Sequence, residues 1–496
     1  MSGVSRRSIS WVALLLLFSS AACAADADRG PKATSIDWTA IDATADPCVD
    51  FYQYACGNWA DAHPLADDAY SYSRFDQRGD AVSPKLRDII EADANGDRQH
   101  DDPYAATIAD LFNSCMNAPD YTPARDELRA WLAPVMAIAS AEDLARQIAT
   151  LAQLGSVALF SADSVRDADD PTRYIMRFDQ GGYALRNRSD YLDDATADLR
   201  RAYRDHVRDL TAIFSDIAID VDQAIAIETE LAQAALTPAQ QRDVLATHNP
   251  MSASDLAALA PNFAWDAYLD SAGLAMQQHF TITSPDYFRA LDRLLADTPL
   301  LALQSYLALR LIQSKAAWLD REVAGMDFAF WSAHYDGRTA HPDRASICVD
   351  AVKARLSWPL AAPYIHRNDT GDLVERAKDV LEVVRASVHD RIAKADWADD
   401  ATRTVAQQKL AAEIALIGHP SGVTDYSALA LEPDSYLKNG VAIARFDHLR
   451  VLAALTAHAE RDVWSDPPFL INTTYFTAKN LVEFPMAMLG EPFFAA

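Results

Sequence analysis

The run from Leu470 to Pro485 constrains the fold of this chain most tightly. Leu470 to Phe476 is rich in β-formers, and Thr477 to Asn480 is polar enough to turn. Leu481 to Phe484 reads as a second short strand, closed by Pro485. A hairpin of this kind must pack against other structure, and it leaves an edge with which a further strand can pair.

The hairpin sits in a chain that is otherwise helical from about residue 76 to 410. Leu199, Tyr203, Val207, Leu210 and Phe214 recur at helical spacing. So do Leu373, Ala377, Val380, Leu381, Val384, Val388 and Ile392, with Thr370 as N-cap. A third helix is expected from Asp399 or Asp400 to Gly418, with Pro420 beyond it. These stripes are read as core and are assigned no chemistry. Glu91 to Pro103 is expected to be an acidic loop. Ala324 to Arg344 is expected to be irregular, its aromatics Phe328, Phe330, Trp331 and Tyr335 forming a packed loop or a cavity wall. The fold class that follows is mainly α with a short C-terminal β-hairpin.

The length of 496 residues allows two or three domains. The net charge of −27 argues against a nucleic-acid partner, because an acidic surface repels phosphate. Residues 1–24 read as an export signal: Arg6 and Arg7, the short apolar run Trp11 to Phe18, then Ala22-Cys23-Ala24. Residues 25–45 form a polar leader. Simple export to a periplasmic or extracellular space is expected, with a lipid anchor at Cys23 as the alternative and the only route to a membrane. No other run is long and apolar enough to span a bilayer.

Four cysteines remain beyond the signal: Cys48, Cys56, Cys115 and Cys348. They allow three pairings. If the segment after Pro47 is helical, Cys48 and Cys56 lie about 12 Å apart along its axis. A disulfide needs Cα atoms within about 7 Å, so these two should not bridge each other.

The chemistry-bearing motifs are sparse. No two of the twelve histidines are four residues apart, so His-Glu-x-x-His is absent. His334 and His341, with Asp336 and Asp343, form a loose cluster that is read as a surface loop. Neither a Gly-x-Ser-x-Gly elbow nor a phosphate-binding glycine loop occurs. An exposed sheet edge, however, can take up an extended peptide through backbone hydrogen bonds.

Three stretches carry a family resemblance. Asp46-Pro47-Cys48-Val49-Asp50-Phe51-Tyr52-Gln53-Tyr54-Ala55-Cys56-Gly57-Asn58-Trp59 resembles the Pro-Cys-x-Asp-Phe-Tyr-x-Tyr-Ala-Cys-Gly-x-Trp signature of the neprilysin-like zinc metallopeptidases. Tyr72 to Asp76 is similar to their Tyr-Gly-x-Phe-Asp element, with Ser73 in place of Gly. Asn472 to Phe476, Glu483-Phe484-Pro485 and Glu491-Pro492-Phe493-Phe494 resemble their edge strand, Val-Phe-Pro strand and Pro-Pro-Phe-Phe segment.

The resemblance implies a large helical cap domain inserted into a thermolysin-like α+β catalytic domain, here incomplete. Residues 46–75 and 420–496 would belong to the catalytic domain, truncated in its returning part, and 76–419 would form the cap. It implies a Cys115–Cys348 disulfide, and it leaves Cys48 and Cys56 unpaired, their family partners lying in the C-terminal catalytic portion. It implies that Asn472 and Thr473 contact the backbone of a peptide substrate. Thr473, Thr474, Leu481 and Glu483 depart from the family residues.

Zinc belongs to the complete family enzyme. None is expected in this chain, which lacks the zinc ligands and the catalytic Glu, and no catalytic or metal residue is assigned to it. The expectation is an N-terminal portion of a secreted zinc metalloendopeptidase, inactive alone. Two alternatives stand beside it: an envelope protein that binds peptides or a partner without hydrolysis, and a subunit completed by a separate chain carrying the zinc helix.

Overall fold

The computed structural model describes residues 37–67, 69–96, 102–120, 122–338, 340–368 and 371–494. The export signal, Cys23, most of the leader and Thr370 lie outside the described residues. The chain divides into two compact units, Met1–Pro64 with Gly490–Ala496, and Leu65–Leu489.

In the small unit, Asp50 caps the helix Phe51–Cys56 by accepting from the Gln53 amide. The Asn58 side chain donates to Ile41 O at 2.8 Å and ties the following turn back to the start of the unit. The helix starts three residues later than expected. The Asp46 side chain accepts from the Cys48 amide and folds Asp46 to Val49 into a turn. Cys48 therefore precedes the helix, and the helical-rise argument does not apply to it. Cys48 and Cys56 are both free and exposed.

The large unit has two cores. The first surrounds the helix Leu300–Lys315, most of whose residues are buried. It packs against the helices Val221–Ala234, Ala124–Met136 and Ala197–Ala212. Beside it lies a four-stranded sheet of β1 (Phe160–Arg166), β2 (Tyr174–Gln180), β3 (Asn249–Ser252) and β4 (His279–Ile282) in the order β1-β2-β4-β3. Met176, Phe178, Phe280 and Ile282 point from this sheet into the core. A fully buried Glu228 accepts from the Tyr191 and Tyr203 hydroxyls and from Arg310, which satisfies its sealed carboxylate.

The second core joins the helices Arg74–Ala94, Ala105–Asn117 and Arg344–Arg355. A disulfide links Cys115 to Cys348 at its centre, both residues fully buried, and closes a separation of 233 residues. Arg344 donates to the Cys115 carbonyl beside it.

A second sheet contains β5 (Ile414–Gly418), β6 (Thr474–Phe476) and β7 (Leu481–Pro485) in the order β5-β7-β6. β6 and β7 are antiparallel, and β5 runs parallel to β7. The expected helix to Gly418 is thus corrected: it covers Asp400–Ala411 only, and Ile414–Gly418 is a strand. Ile-Ala-Leu-Ile fits either state locally, and the partner strand more than 60 residues away decides it. The first hairpin strand is shorter than expected, since Leu470 to Thr473 lies outside the ladder, which begins at Thr474.

Three more expectations are corrected. The helix Arg74–Ala94 runs through Glu91, which shortens the acidic loop, and residues 97–101 lie outside the described residues. Arg321–Trp331 is a helix that continues into a π-helical turn, Ser332–Asp336, because Asp320 caps it and Gly337 ends it in the left-handed region. No residue of the helix Gly371–Ala393 is buried, and Val380 is 53% exposed. Its apolar stripe is real, but periodicity shows which face is apolar and not what covers it. No helix among the described residues is long and apolar enough to cross a membrane.

Candidate functional site

β6 is the edge strand of its sheet and has no second strand partner among the described residues. Asn472 and Thr473 lead directly into it. Asn472 is exposed, and Thr473 is half-buried. Leu470 and Ile471, just before them, line a cleft of about 700 Å³ whose other walls include Tyr72, Phe75, Asp76 and Lys353. The two stretches singled out in the sequence, Tyr72 to Asp76 and the approach to Asn472, therefore meet at one cleft.

The hairpin is held from three sides. Asn480 takes a left-handed conformation (φ 47°), which asparagine tolerates, and its side chain donates to Lys409 O at 2.8 Å. Arg461 donates to the carbonyls of Lys479 and Ala412. Glu483, fully buried on β7, accepts from the amides of Ser465 and Asp466, both at 2.9 Å. Burial pushes its carboxyl up, and the two amides and the nearby Lys479 oppose that shift. Across the ladder Thr474 donates to Asp466 Oδ2 at 2.8 Å. Two of the departures from the family residues thus belong to one network that fixes the edge strand.

The loose histidine cluster does not assemble. His334 packs on Phe330 and His341 on Phe328, Asp336 pairs with Arg186, and Asp343 caps the helix Arg344–Arg355. Among the described residues a different group, Asp167, Asp169 and His248, brings three donor atoms within 4.8 Å of one another. It does not fit zinc. Asp167 Oδ2 already accepts from Arg173 Nε and Nη2, and its Oδ1 accepts from the Asp169 amide. Asp169 is in turn engaged by His248 Nε2 at 3.1 Å. A catalytic zinc site keeps its ligands free of such counter-charges and leaves one position open.

Sequence reasoning also missed a pairing of a buried histidine with a half-buried acid in the large unit. His206 Nε2 lies 3.8 Å from Asp327 Oδ1, and the His206 ring stacks on Phe330 at 4.6 Å. Burial holds the His206 imidazole down to about 4, aided by nearby His334, and pushes the Asp327 carboxyl up to about 6. His206 follows Tyr203 by three residues on one helical face, the only signal that could have marked it as buried.

A family model described as peptidase family M13 matches residues 47–420. The chain belongs to peptidase family M13, the neprilysin-like zinc metallopeptidases. It is 22% identical to endothelin-converting enzyme 1 of Mus musculus over 93% of this chain and 62% of that protein. It is 23% identical to human endothelin-converting enzyme-like 1, over 90% and 61%. The chain thus spans less than two thirds of the length of these M13 relatives. Among solved structures it resembles the zinc metalloprotease Zmp1 of Mycobacterium tuberculosis in complex with an inhibitor: TM-score 0.88, 26% identity, 93% of this chain and 71% of that one. It also resembles PepO from Lactobacillus rhamnosis in fold, with TM-score 0.78 at 16% identity, over 90% and 72%. The mainly helical architecture with small sheets is the one these M13 structures share.

Proposed function

We propose that this chain is the N-terminal portion of an exported M13 zinc metalloendopeptidase and that it does not hydrolyse peptides by itself. The observation that carries this reading is the match to the family over residues 47–420 in a sequence that holds no His-Glu-x-x-His. In the complete enzyme, residues 46–75 and 420–496 contribute to the catalytic domain and 76–419 form the cap that encloses the substrate. Zinc supplies an activated water when bound in that enzyme.

The residues present here bind and orient. An extended peptide adds to the free edge of β6 through backbone hydrogen bonds, with Asn472 and Thr473 contacting its main chain. The exposed thiols of Cys48 and Cys56 reach cysteines of the zinc-bearing portion, whether it is continuous with this chain or supplied as a separate chain. A membrane is involved only through lipid at Cys23.

The test is zinc content and hydrolysis of a fluorogenic peptide by the purified chain. The proposal expects neither stoichiometric zinc nor turnover. One zinc per chain, or turnover that a chelator abolishes, would overturn it.

A further inference from the structure

A cleft of about 540 Å³ opens over the outer face of the four-stranded sheet. We infer that it binds an aliphatic carboxylate, with Arg177 and Thr281 holding the oxygens and Val165, Ile175 and Val244 covering the hydrocarbon.

The sheet's alternation creates the floor. Met176, Phe178 and Phe280 enter the core, so the residues between them face outward. Arg177 and Thr281 are register partners on β2 and β4, and Val165 pairs with Ile175 on β1 and β2. All four line the cleft. Thr281 is 3% exposed, and neither its hydroxyl nor Arg177 Nε has a hydrogen-bond partner among the described residues. Buried donors without partners are uncommon and costly, so an acceptor is expected there.

The donors in the cleft wall favour an acceptor with two oxygens. The Arg177 guanidinium is 4.0 Å from Asp179, a loose pairing, and its other acidic neighbour is Asp163 across the ladder. Arg166, also in the cleft wall, donates only to the carbonyls of Pro171, Ala459 and Glu460 and forms no ion pair among the described residues. Asp167 is already matched by Arg173. The cleft wall itself carries two guanidinium groups, Arg166 and Arg177, and a single carboxylate, Asp167, while Asp169 is engaged from the lining by His248. The valines and isoleucine select a carboxylate with an aliphatic body over a bare inorganic anion, and the volume suits a small ligand.

Calorimetric titration of the full chain tests this with N-acetylleucine, N-acetylleucinamide, hexanoate and inorganic phosphate. At least one of the two acids should bind. A tighter N-acetylleucine names a peptide-like source, and a tighter hexanoate a free aliphatic acid. The neutral amide should bind about tenfold or more weakly, and Arg177→Gln should cost the acids a similar factor. Val244→Glu, at a position 65% exposed, should weaken the acids without disturbing the fold, as thermal unfolding will verify. The proposal is overturned if neither acid binds, if acid and amide bind equally, if phosphate binds as well as the acids, or if folded Arg177→Gln binds like the parent.

Discussion

Thr474 and Glu483 face each other across the β6–β7 ladder, and both are tied to Asp466, one through its carboxylate and the other through its amide. The edge strand is therefore fixed from below by a buried acid where the family has valine. Glu483→Val, which restores that valine, should destabilise the fold by about 2–3 kcal/mol, because the Ser465 and Asp466 amides lose their acceptor. Thr474→Val should cost about 1 kcal/mol. Urea unfolding of the single and double variants should show non-additive losses, since the two residues share Asp466. A neutral Glu483→Val would contradict the network.

The His206–Asp327 pair predicts a pH signature. Asp327 in the folded chain keeps a proton up to about 6, while the unfolded carboxyl loses it near 3.8. Its contribution to stability is therefore present at low pH and lost as pH rises through that window. His206 in the folded chain refuses a proton until about 4, while the unfolded imidazole takes one near 6.5. Its contribution is present above 6.5 and lost as pH falls. The slopes oppose between pH 4 and 6. Asp327→Asn should leave stability falling as pH drops from 6.5 to 4, by on the order of 3 kcal/mol. His206→Asn should leave it falling as pH rises from 4 to 6. Unfolding curves at stepped pH check both, and parallel profiles for the two variants would refute the assignment.

The cysteines predict a labelling pattern. In the folded chain a maleimide should modify Cys48 and Cys56 rapidly, and Cys115 and Cys348 only after reduction and unfolding. Intact-mass analysis reads the number of adducts. Replacing Cys115 and Cys348 with serine should cost about 2–5 kcal/mol, because the link closes a long loop in the unfolded chain.

Asn472 is exposed and makes no side-chain hydrogen bond among the described residues. Asn472→Ala should leave the melting temperature of this chain within about a degree, given how little such surface changes cost. In an enzyme extended to include the zinc helix, the same change should lower kcat/KM about tenfold or more through a lost backbone contact. A marked melting shift would instead make Asn472 structural.

Much of the fold was legible because it is local. The turn at Thr477 to Asn480 and the stripe from Leu199 to Phe214 announce themselves within a few residues. β5 was not legible, since Ile414–Gly418 becomes a strand only beside Leu481–Pro485. The four-stranded sheet was missed for the same reason: β1 reads Phe-Ser-Ala-Asp-Ser-Val-Arg, with one firmly buried residue, and gains its identity from β2. The stripe on Gly371–Ala393 was legible as apolar but not as exposed. At the candidate site, the place of Asn472 beside the edge strand was legible from its motif. The tie from Glu483 to Asp466 was not, because it depends on how the chain from Val463 to Asp466 returns to the sheet.

The most direct measurement is to read the DNA immediately downstream of the Ala496 codon in all three frames. The account predicts codons for His-Glu-x-x-His in one of them, which would supply the zinc-bearing portion that this chain's family match calls for. Their absence from every frame would contradict a zinc-bearing portion continuous with this chain.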